Sequence, residues 1–277
     1  MGPKVTKKIN QDFFKKWSSD MAYVLGFFVA DGCITLSKGR KSNPYMFNIT
    51  SKDLEHLYNI NKALSSDYKI GKKSNSSGSI AYQINVRNSV LSRDLMNLGV
   101  YLRKTYNLKP IKTPEKYFSD FVRGFFDGDG SVYIYNVNKV VQIKSSFVCT
   151  SLDFIAEFNE RLYRVLGIPK KSIHKTLGRK MGFMKQFSNC FYIGDSEKLA
   201  KFMYGNNPSL YLERKREIFE KWALLKRRSF TKKNYPSKIG WKLREGIIQK
   251  IHRLKVFVMK FWNCPDKNRG FSIKSEQ

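Results

Sequence analysis

The chain has 277 residues, of which 42% are hydrophobic and 14% aromatic, and this composition excludes a protein that is disordered throughout. The 52 Lys and Arg residues against 22 Asp and Glu residues give a formal net charge of +30. A charge so far from zero predicts a polyanionic partner, with nucleic acid as the first candidate and an anionic membrane surface as the second.

The longest apolar run, at 21–30, is about half as long as a bilayer span requires, so no helix is expected to span a membrane, and nucleic acid rather than a membrane is the expected partner. The four cysteines are scattered and form no CxxC pair, so neither a disulfide framework nor a zinc site is predicted. With no signal-peptide pattern in the sequence, these features favour an unsecreted, intracellular protein.

Several sequence stretches recur in the same order along the chain. The decapeptide YVLGFFVADG at 23–32 recurs as FVRGFFDGDG at 121–130, TSKDL at 50–54 recurs as TSLDF at 150–154, and the Arg-Lys pair at 103–104 recurs at 214–215. The constant order indicates a duplication. It predicts an N-terminal domain at 1–100, a linker at 101–115, a C-terminal domain at 116–228 and a basic C-terminal extension at 229–277.

The residue pattern of each copy predicts the same succession of helices and strands. An apolar helix ending at a glycine is followed by two alternating strands, a second helix, a second hairpin and a short closing helix. The predicted ranges are 20–31, 33–38, 44–50, 52–65, 68–74 and 79–87 in the first copy, and 117–129, 131–137, 140–149, 152–166, 171–178 and 183–193 in the second. Ser51 and Ser151 are predicted to cap the second helices. The fold class is therefore α/β (α+β), with two αββαββα domains related by a pseudo-two-fold axis.

A helical apolar pattern at 241–262 lies within the basic extension. It predicts either a helix that covers the core with a solvated basic face or an additional contact to a DNA backbone.

The nonapeptides VLGFFVADG at 24–32 and VRGFFDGDG at 122–130 resemble the two signature helices of the LAGLIDADG homing endonucleases. The resemblance covers residues 15–228 and is to the single-chain, two-motif meganucleases. It implies a monomer that cuts both strands of a long, asymmetric double-stranded DNA target by metal-dependent phosphodiester hydrolysis. It also implies a role in intron homing or in the spread of a free-standing gene, in the cytoplasm of a bacterium or phage host or in an organelle matrix.

Small residues in each motif predict that the two signature helices pack closely against each other. Gly26 and Ala30 share one helix face, as do Gly124 and Gly128 on the other helix, and small residues at this spacing let backbones approach. The neighbouring aromatic residues are expected to anchor each helix in its own domain; they are Phe27, Phe28, Phe125 and Phe126.

Asp31 and Asp129 each precede the glycine that ends a motif helix. An aspartate at a helix C-terminus faces the negative end of the macrodipole, and close packing would bring the two carboxylates together. A divalent cation would relieve this repulsion, so both residues are predicted to be catalytic metal ligands for Mg²⁺, with Mn²⁺ expected to substitute. Asp127 has no symmetric partner and is interpreted as a capping or surface acid.

Lys104 and Lys215 occupy corresponding positions in the two recurring Arg-Lys pairs. They resemble the basic residues that the family carries near each scissile phosphate, where a lysine would steady water or neutralise developing charge. The alternative is an ordinary basic surface residue. Ser51 and Ser151 also match a family position that organises water, although a capping role explains them equally well.

Strand alternation predicts which side chains face DNA on two curved antiparallel sheets. Lysines among them are expected to contact phosphates rather than bases. The candidates are Thr35, Ser37, Arg40, Asn48, Lys72, Lys73, Tyr82, Arg87, Tyr133, Tyr135, Gln142, Lys144, Lys175, Arg179 and Lys185. Because Thr35 and Ser37 correspond to Tyr133 and Tyr135, and Asn48 is matched with Val148, the two half-sites should differ and the target should not be a palindrome.

Two alternative functions share this fold. A maturase would bind intron RNA to assist splicing, and a regulator would bind DNA without cutting it. Two intact aspartates argue against a purely RNA-binding role, and metal-dependent nicking would separate the enzyme from the regulator.

Overall fold

The computed structural model describes residues 7–37, 39, 41–74, 78–138, 140–178 and 184–233. Arg40, Arg179 and the predicted helix at 241–262 lie outside these residues. The chain divides into two compact units, Met1–Trp222 and Ala223–Gln277, of which the second is described only as far as residue 233. Within the described residues, none of the helices combines the length and the apolar character needed to cross a bilayer.

The first half of the chain forms a four-stranded antiparallel sheet and three helices. The elements are α1 (Ser19–Asp31), β1 (Gly32–Leu36), β2 (Tyr45–Ser51), α2 (Leu54–Ala63), β3 (Ile70–Ser74), β4 (Ile80–Val86) and α3 (Ser89–Asn97). The strand order across the sheet is β1-β2-β4-β3, so β2 and β4 are central.

The second half repeats this arrangement after a four-residue helix in the linker. The elements are α4 (Lys104–Asn107), α5 (Phe118–Asp129), β5 (Gly130–Val137), β6 (Val140–Cys149), α6 (Leu152–Leu166), β7 (His174–Gly178), β8 (Met184–Tyr192), α7 (Ile193–Tyr204) and α8 (Glu213–Lys233). The order β5-β6-β8-β7 matches that of the first sheet. The predicted fold class, with two αββαββα repeats, is confirmed.

The close packing of α1 against α5 depends on one glycine in each helix. A Cβ atom on Gly26 would lie 2.2 Å from the carbonyl oxygen of Phe121, and one on Gly124 would lie 2.0 Å from that of Tyr23. Real Cβ atoms do not approach a backbone oxygen so closely, so any larger residue would push the helices apart. The contact predicted from the small residues is present.

The motif phenylalanines anchor each of these two helices against its own sheet. Phe28 contacts Phe47 of β2 edge to face, with ring centroids 5.7 Å apart. Phe125 and Phe126 both contact Phe147 of β6, at 5.5 and 5.3 Å. Each helix is therefore fixed to its own sheet by aromatic packing, while the backbones meet at the seam.

The glycines after the two motif helices serve a purpose other than the usual left-handed helix stop. Gly32 and Gly130 have extended conformations, with φ of −93° and −80°. A Cβ on Gly32 would lie 2.3 Å from the Phe28 ring, and one on Gly130 would lie 2.3 Å from the Phe126 ring. Glycine is needed because the chain turns directly from helix into strand over a buried aromatic ring.

Of the two predicted serine caps, the one at Ser151 is confirmed and the one at Ser51 is wrong. The hydroxyl of Ser151 accepts a hydrogen bond from the backbone N–H of Phe154 and caps α6. Ser51 instead ends β2 and accepts from the N–H of Asp53 at 3.1 Å, and α2 starts only after Asp53. The strand continues one residue further than predicted, so the helix begins later.

Candidate active site and nucleic-acid interface

Asp31 and Asp129 are the last residues of α1 and α5, and the packing of these helices brings them to the same end of the seam. A Cβ added to Gly128 would lie 3.5 Å from Oδ2 of Asp31, so this carboxylate lies against the backbone of α5. Asp31 is half-buried, whereas Asp129 is exposed at the edge of the seam.

The pKa values of both carboxylates are raised, so their ionisation costs more free energy here than it does in water. Burial, followed by the charge of Asp129, raises the pKa of Asp31 from 3.8 to about 7, and the nearby lysines oppose this shift. Displacement of water by the surrounding protein also raises the pKa of Asp129, although Lys104 and Lys215 lower it in part. A carboxylate whose charge is disfavoured in the metal-free protein is stabilised when a cation binds.

Lys104 lies beside the C-terminal end of α1. Its Nζ donates to the carbonyl oxygens of Val29 at 2.5 Å and Ala30 at 2.7 Å, which neutralises the negative end of the helix. The side chain is half-buried, and burial lowers its pKa while Asp129 and Asp31 oppose that shift. Lys104 is therefore held at the end of α1, close enough for its charge to act on the two carboxylates, and part of its surface is open to solvent.

Lys215 caps α5 in the same way but is fully enclosed. Its Nζ donates to the carbonyl oxygens of Phe126 at 2.6 Å, Asp127 at 2.8 Å and Gly130 at 2.6 Å, with Gly128 at 3.3 Å. Only 1% of the residue is exposed, and burial lowers its pKa to about 8. Both lysines thus differ from the ordinary surface residues that were the alternative.

Asp127 is not the capping or surface acid that its lack of a symmetric partner suggested. It is 1% exposed and accepts hydrogen bonds from the hydroxyl of Tyr23 at 2.7 Å, the hydroxyl of Tyr204 at 3.2 Å and the N–H of Leu212 at 2.8 Å. Burial raises its pKa to about 6, although Lys215 and these bonds favour the charged form. The carboxylate links α1, α5, α7 and the segment that precedes α8.

Arg123, on the same helix, is also buried and fully engaged. Its guanidinium donates to Asp120 at 2.7 Å and to the carbonyl oxygens of Met203 and Leu210, and it lies 5.2 Å from the ring centroid of Tyr23. The sequence indicated neither Asp127 nor Arg123 as part of a buried network. Both charged residues occupy positions at which the first motif has an apolar residue, and this difference between the two copies was the signal that the sequence offered.

Asp31 and Asp129 supply only carboxylate oxygens, the ligands that Mg²⁺ and Mn²⁺ prefer. Among the residues that the structure describes, no group of three or more His, Cys, Asp or Glu side chains could enclose a metal ion. Mg²⁺ is commonly held by one or two carboxylates, with water and phosphate oxygens completing the shell. The pair therefore fits a cation that is shared with a phosphate, rather than a closed structural metal site.

The outer face of each sheet is the face opposite the buried core residues, and five predicted DNA contacts in the first sheet lie there. They are Thr35, Ser37, Asn48, Lys73 and Arg87. Arg87 donates to the hydroxyl of Ser37 at 2.8 Å, so part of its guanidinium is already engaged.

The pairing register changes the predicted faces of β3 and β4. Tyr82 pairs with Ser51 and with Lys72, on the side of the sheet that also carries the buried Ile84. Assigning Tyr82 and Lys72 to the outer face was therefore wrong by one residue. Gln83 and Asn85, which were not predicted to contact DNA, lie on the outer face of β4.

The second sheet presents four of the predicted residues on its outer face: Tyr133, Tyr135, Gln142 and Lys144. The hydroxyl of Tyr135 donates to Oε1 of Gln142 at 2.9 Å, and the two tyrosine rings are 5.6 Å apart. These contacts form an aromatic surface that has no counterpart in the first sheet.

Lys175 and Lys185, like Tyr82, lie on the face of the sheet opposite the one predicted. Lys175 pairs with Phe187, which packs against the core, and Lys185 lies two residues before Phe187 on the same face. Gln186 and Ser188 occupy the outer face instead. The cause is again the phase of a strand beside a long turn, which alternation alone does not fix.

The register also corrects the match between Asn48 and Val148. Asn48 pairs with Cys33, directly after the glycine that ends α1, and Ser146 pairs with Ser131, directly after the glycine that ends α5. Asn48 therefore corresponds to Ser146.

Solved structures share this architecture. The chain is similar to I-SmaMI bound to an uncleaved DNA target in the presence of calcium ions, with 16% identity, a TM-score of 0.53, and coverage of 83% of this chain and 97% of that chain. It is also similar to the LAGLIDADG meganuclease I-AabMI bound to uncleaved DNA, with 13% identity, a TM-score of 0.52, and coverage of 83% and 96%. No protein-family model and no curated protein matches the sequence. The chain has the fold of the LAGLIDADG homing endonucleases, as the two motifs predicted.

Proposed function

We propose that this protein is a monomeric, site-specific homing endonuclease that cuts both strands of a long, asymmetric DNA target. The observation that carries the proposal is the pair Asp31 and Asp129 at the ends of two close-packed helices, each of which leads directly into an antiparallel sheet, in a chain with a net charge of +30. Both similar structures are bound to DNA, which supports DNA as the partner of this chain.

The two aspartates would hold Mg²⁺, which would supply charge stabilisation at the scissile phosphates. Lys104 is partly open to solvent beside them and can neutralise charge on a phosphate oxygen. Lys215 keeps the end of α5 in place and acts on Asp129 through its charge, because its ammonium group is enclosed by carbonyl oxygens.

Cleavage of a randomised DNA library with Mg²⁺ tests this function. The wild-type protein should enrich one cleaved sequence, and Asp31→Asn or Asp129→Asn should abolish double-strand cleavage while DNA binding persists. Asp12→Asn is a matched control, since it removes one charge from an exposed carboxylate that contacts Lys15 outside the site.

Two outcomes would contradict the proposal. Full double-strand cleavage by either variant would remove the role of the paired aspartates. Specific binding by the wild-type protein without cleavage in Mg²⁺ or Mn²⁺ would favour a DNA-binding regulator on the same fold.

A further inference from the structure

Three carboxamide side chains occupy neighbouring outer-face positions on the two central strands of the N-terminal sheet. Asn48 of β2 pairs directly with Asn85 of β4, and Gln83 lies two residues from Asn85 on the same face. We call Asn48, Gln83 and Asn85 the amide triad. Directly cross-strand residues on one face have Cβ atoms about 5 Å apart, and residues two apart on a strand are about 7 Å apart.

The amide triad is available for an external partner. All three residues are partly exposed, and within the described residues none of their side-chain amides takes part in a hydrogen bond. Gln83 stands opposite Gly71 on the edge strand β3, which contributes no side chain to that part of the face. Three uncommitted amides thus lie side by side in the middle of the sheet.

A carboxamide has one acceptor and two donors in a plane, which matches the N6 donor and N7 acceptor of adenine in the major groove. Because the amide is neutral, it contributes little to phosphate binding, unlike the lysines nearby. Base pairs stack about 3.4 Å apart, so a triad of this extent spans two or three consecutive base pairs.

The C-terminal sheet provides an internal comparison for the amide triad. The register places Ser146, Ser188 and Cys190 at the three corresponding positions. These side chains are too short for a bidentate contact, and the hydroxyl of Ser146 already shares a hydrogen bond of 2.8 Å with that of Ser131. At these three positions, the side chains that can read adenine in this way are therefore present only in the N-terminal sheet.

We infer that the amide triad reads a run of two or three adenines in the half-site bound by the N-terminal domain, and that the equivalent positions of the other half-site carry no such preference. The inference rests on the proposed function, because it takes the outer face of the sheet as the face that contacts DNA.

The test begins with selection of binding sequences from a randomised duplex library in the presence of Ca²⁺. Every single-base variant of the selected duplex is then titrated with the wild-type protein and with Asn48→Ser/Gln83→Ser/Asn85→Cys, which installs the residues of the C-terminal sheet. The wild type should prefer adenine by about 5- to 150-fold at each contacted position, the range expected for a bidentate contact. The triple variant should lose this preference, with the other half-site unchanged.

A second variant tests the same contact with almost no change in shape. Gln83→Glu keeps the side-chain length but removes the donor, and a carboxylate accepts from the N4 amino group of cytosine. One position of the N-terminal half-site should then change its preference from adenine to cytosine. Circular dichroism and melting curves would establish that each variant is folded.

The outcomes separate this inference from the proposed function. If the selected duplex is bound and cleaved with Mg²⁺ but shows no adenine run, or keeps its adenine preference in the triple variant, the amide triad is not the reader and the endonuclease function stands. If no duplex is selected, the proposed function and the inference both fail.

Discussion

The two motif helices end at the same kind of lysine contact, yet the two ends differ in how tightly they are enclosed. Lys104 donates to two carbonyl oxygens of α1 and remains partly open to solvent. Lys215 contacts four carbonyl oxygens at the end of α5 and is almost completely buried. Identical dipeptides in a duplicated chain have therefore taken on different physical roles.

The elements that carry the two lysines account for this difference. Lys215 lies in the first turn of the long helix α8, and the N–H of Leu212 just before that helix is held by the carboxylate of Asp127. Lys104 begins the four-residue helix α4, after Arg103 with a left-handed φ of 54°. The end of α5 is therefore the more firmly held of the two helix ends, and the end of α1 has the lysine that is partly open to solvent.

The largest effect is expected from removing the enclosed lysine. Lys215→Met should lower the free energy of unfolding by about 3–5 kcal/mol, because buried carbonyl oxygens and the carboxylate of Asp127 lose their cation. Lys104→Met should cost only about 1 kcal/mol, since solvent can replace the lost bonds. Urea unfolding of the metal-free protein measures both.

Cleavage gives the complementary comparison for these two variants. Lys104→Met should lose much of its cleavage rate while it stays folded. Equal stability losses in the two variants would contradict the distinction between an enclosed and an open lysine.

A smaller effect is expected from the tyrosine that joins the two helices. Tyr23 donates to the buried carboxylate of Asp127, whereas the matching position in α5 is Phe121, which has no hydroxyl. Tyr23→Phe should cost about 1.5–3 kcal/mol, the range for a hydrogen bond to a charged group. Phe13→Leu is a control for general loss of aromatic packing. A cost well below 1 kcal/mol in thermal unfolding would mean that the link across the seam contributes little.

The sequence predicted the features that depend on local pattern. The glycines and phenylalanines of the motifs determine the contact between α1 and α5, and the acids at their ends determine where the carboxylates meet. The faces of the strands in each first hairpin were also predictable, because the motif helix fixes where the first strand begins, but their register was not, since Asn48 corresponds to Ser146 rather than to Val148.

The features that the sequence did not predict depend on contacts between distant segments. Asp127 is buried because Tyr23, Tyr204 and Leu212 converge on it, and these residues lie far apart in the chain. In the second hairpins the faces of Lys72, Tyr82, Lys175 and Lys185 were missed, although those of Lys73 and Arg87 were predicted correctly. Alternation alone does not fix the phase of a strand beside a long turn, and a shift of one residue changes its face.

The paired acids should also make stability depend on pH in a defined direction. Burial and Asp129 raise the pKa of Asp31 to about 7, so the protonated carboxyl group stabilises the metal-free fold relative to the unfolded chain. This stabilisation is lost as pH rises from about 4 to 7. Asp31→Asn should leave the free energy of unfolding unchanged at pH 4 and raise it by about 1–2 kcal/mol at pH 8. This gain is smaller than the full pKa shift would give, because water reaches the carboxylate and screens its charge.

Melting curves without metal check this pH dependence, with Asp12→Asn as the control that should show no gain at pH 8. Calorimetry of Mg²⁺ binding gives the converse result, since binding needs the ionised carboxylate and should strengthen as pH rises through about 7. A stability gain that is equal at pH 4 and pH 8 would show that the titration of Asp31 is not its cause.

The smallest effect concerns a difference between the cores of the two sheets. Asn189 of β8 and Ile84 of β4 occupy equivalent positions, because they pair with Phe147 and Ile49 at corresponding points of the two sheets. Both side chains are fully buried. Neither polar atom of the Asn189 side chain has a hydrogen-bond partner in the described part of the chain. Asn189→Ile should therefore stabilise the protein by about 1 kcal/mol, since it removes two unsatisfied polar atoms and adds a residue that favours strands. The reverse change, Ile84→Asn, should cost several times as much, because it places an amide in the core of the first sheet. A loss of stability in Asn189→Ile, measured by urea unfolding, would mean that buried water satisfies the amide and that the second core is built around it.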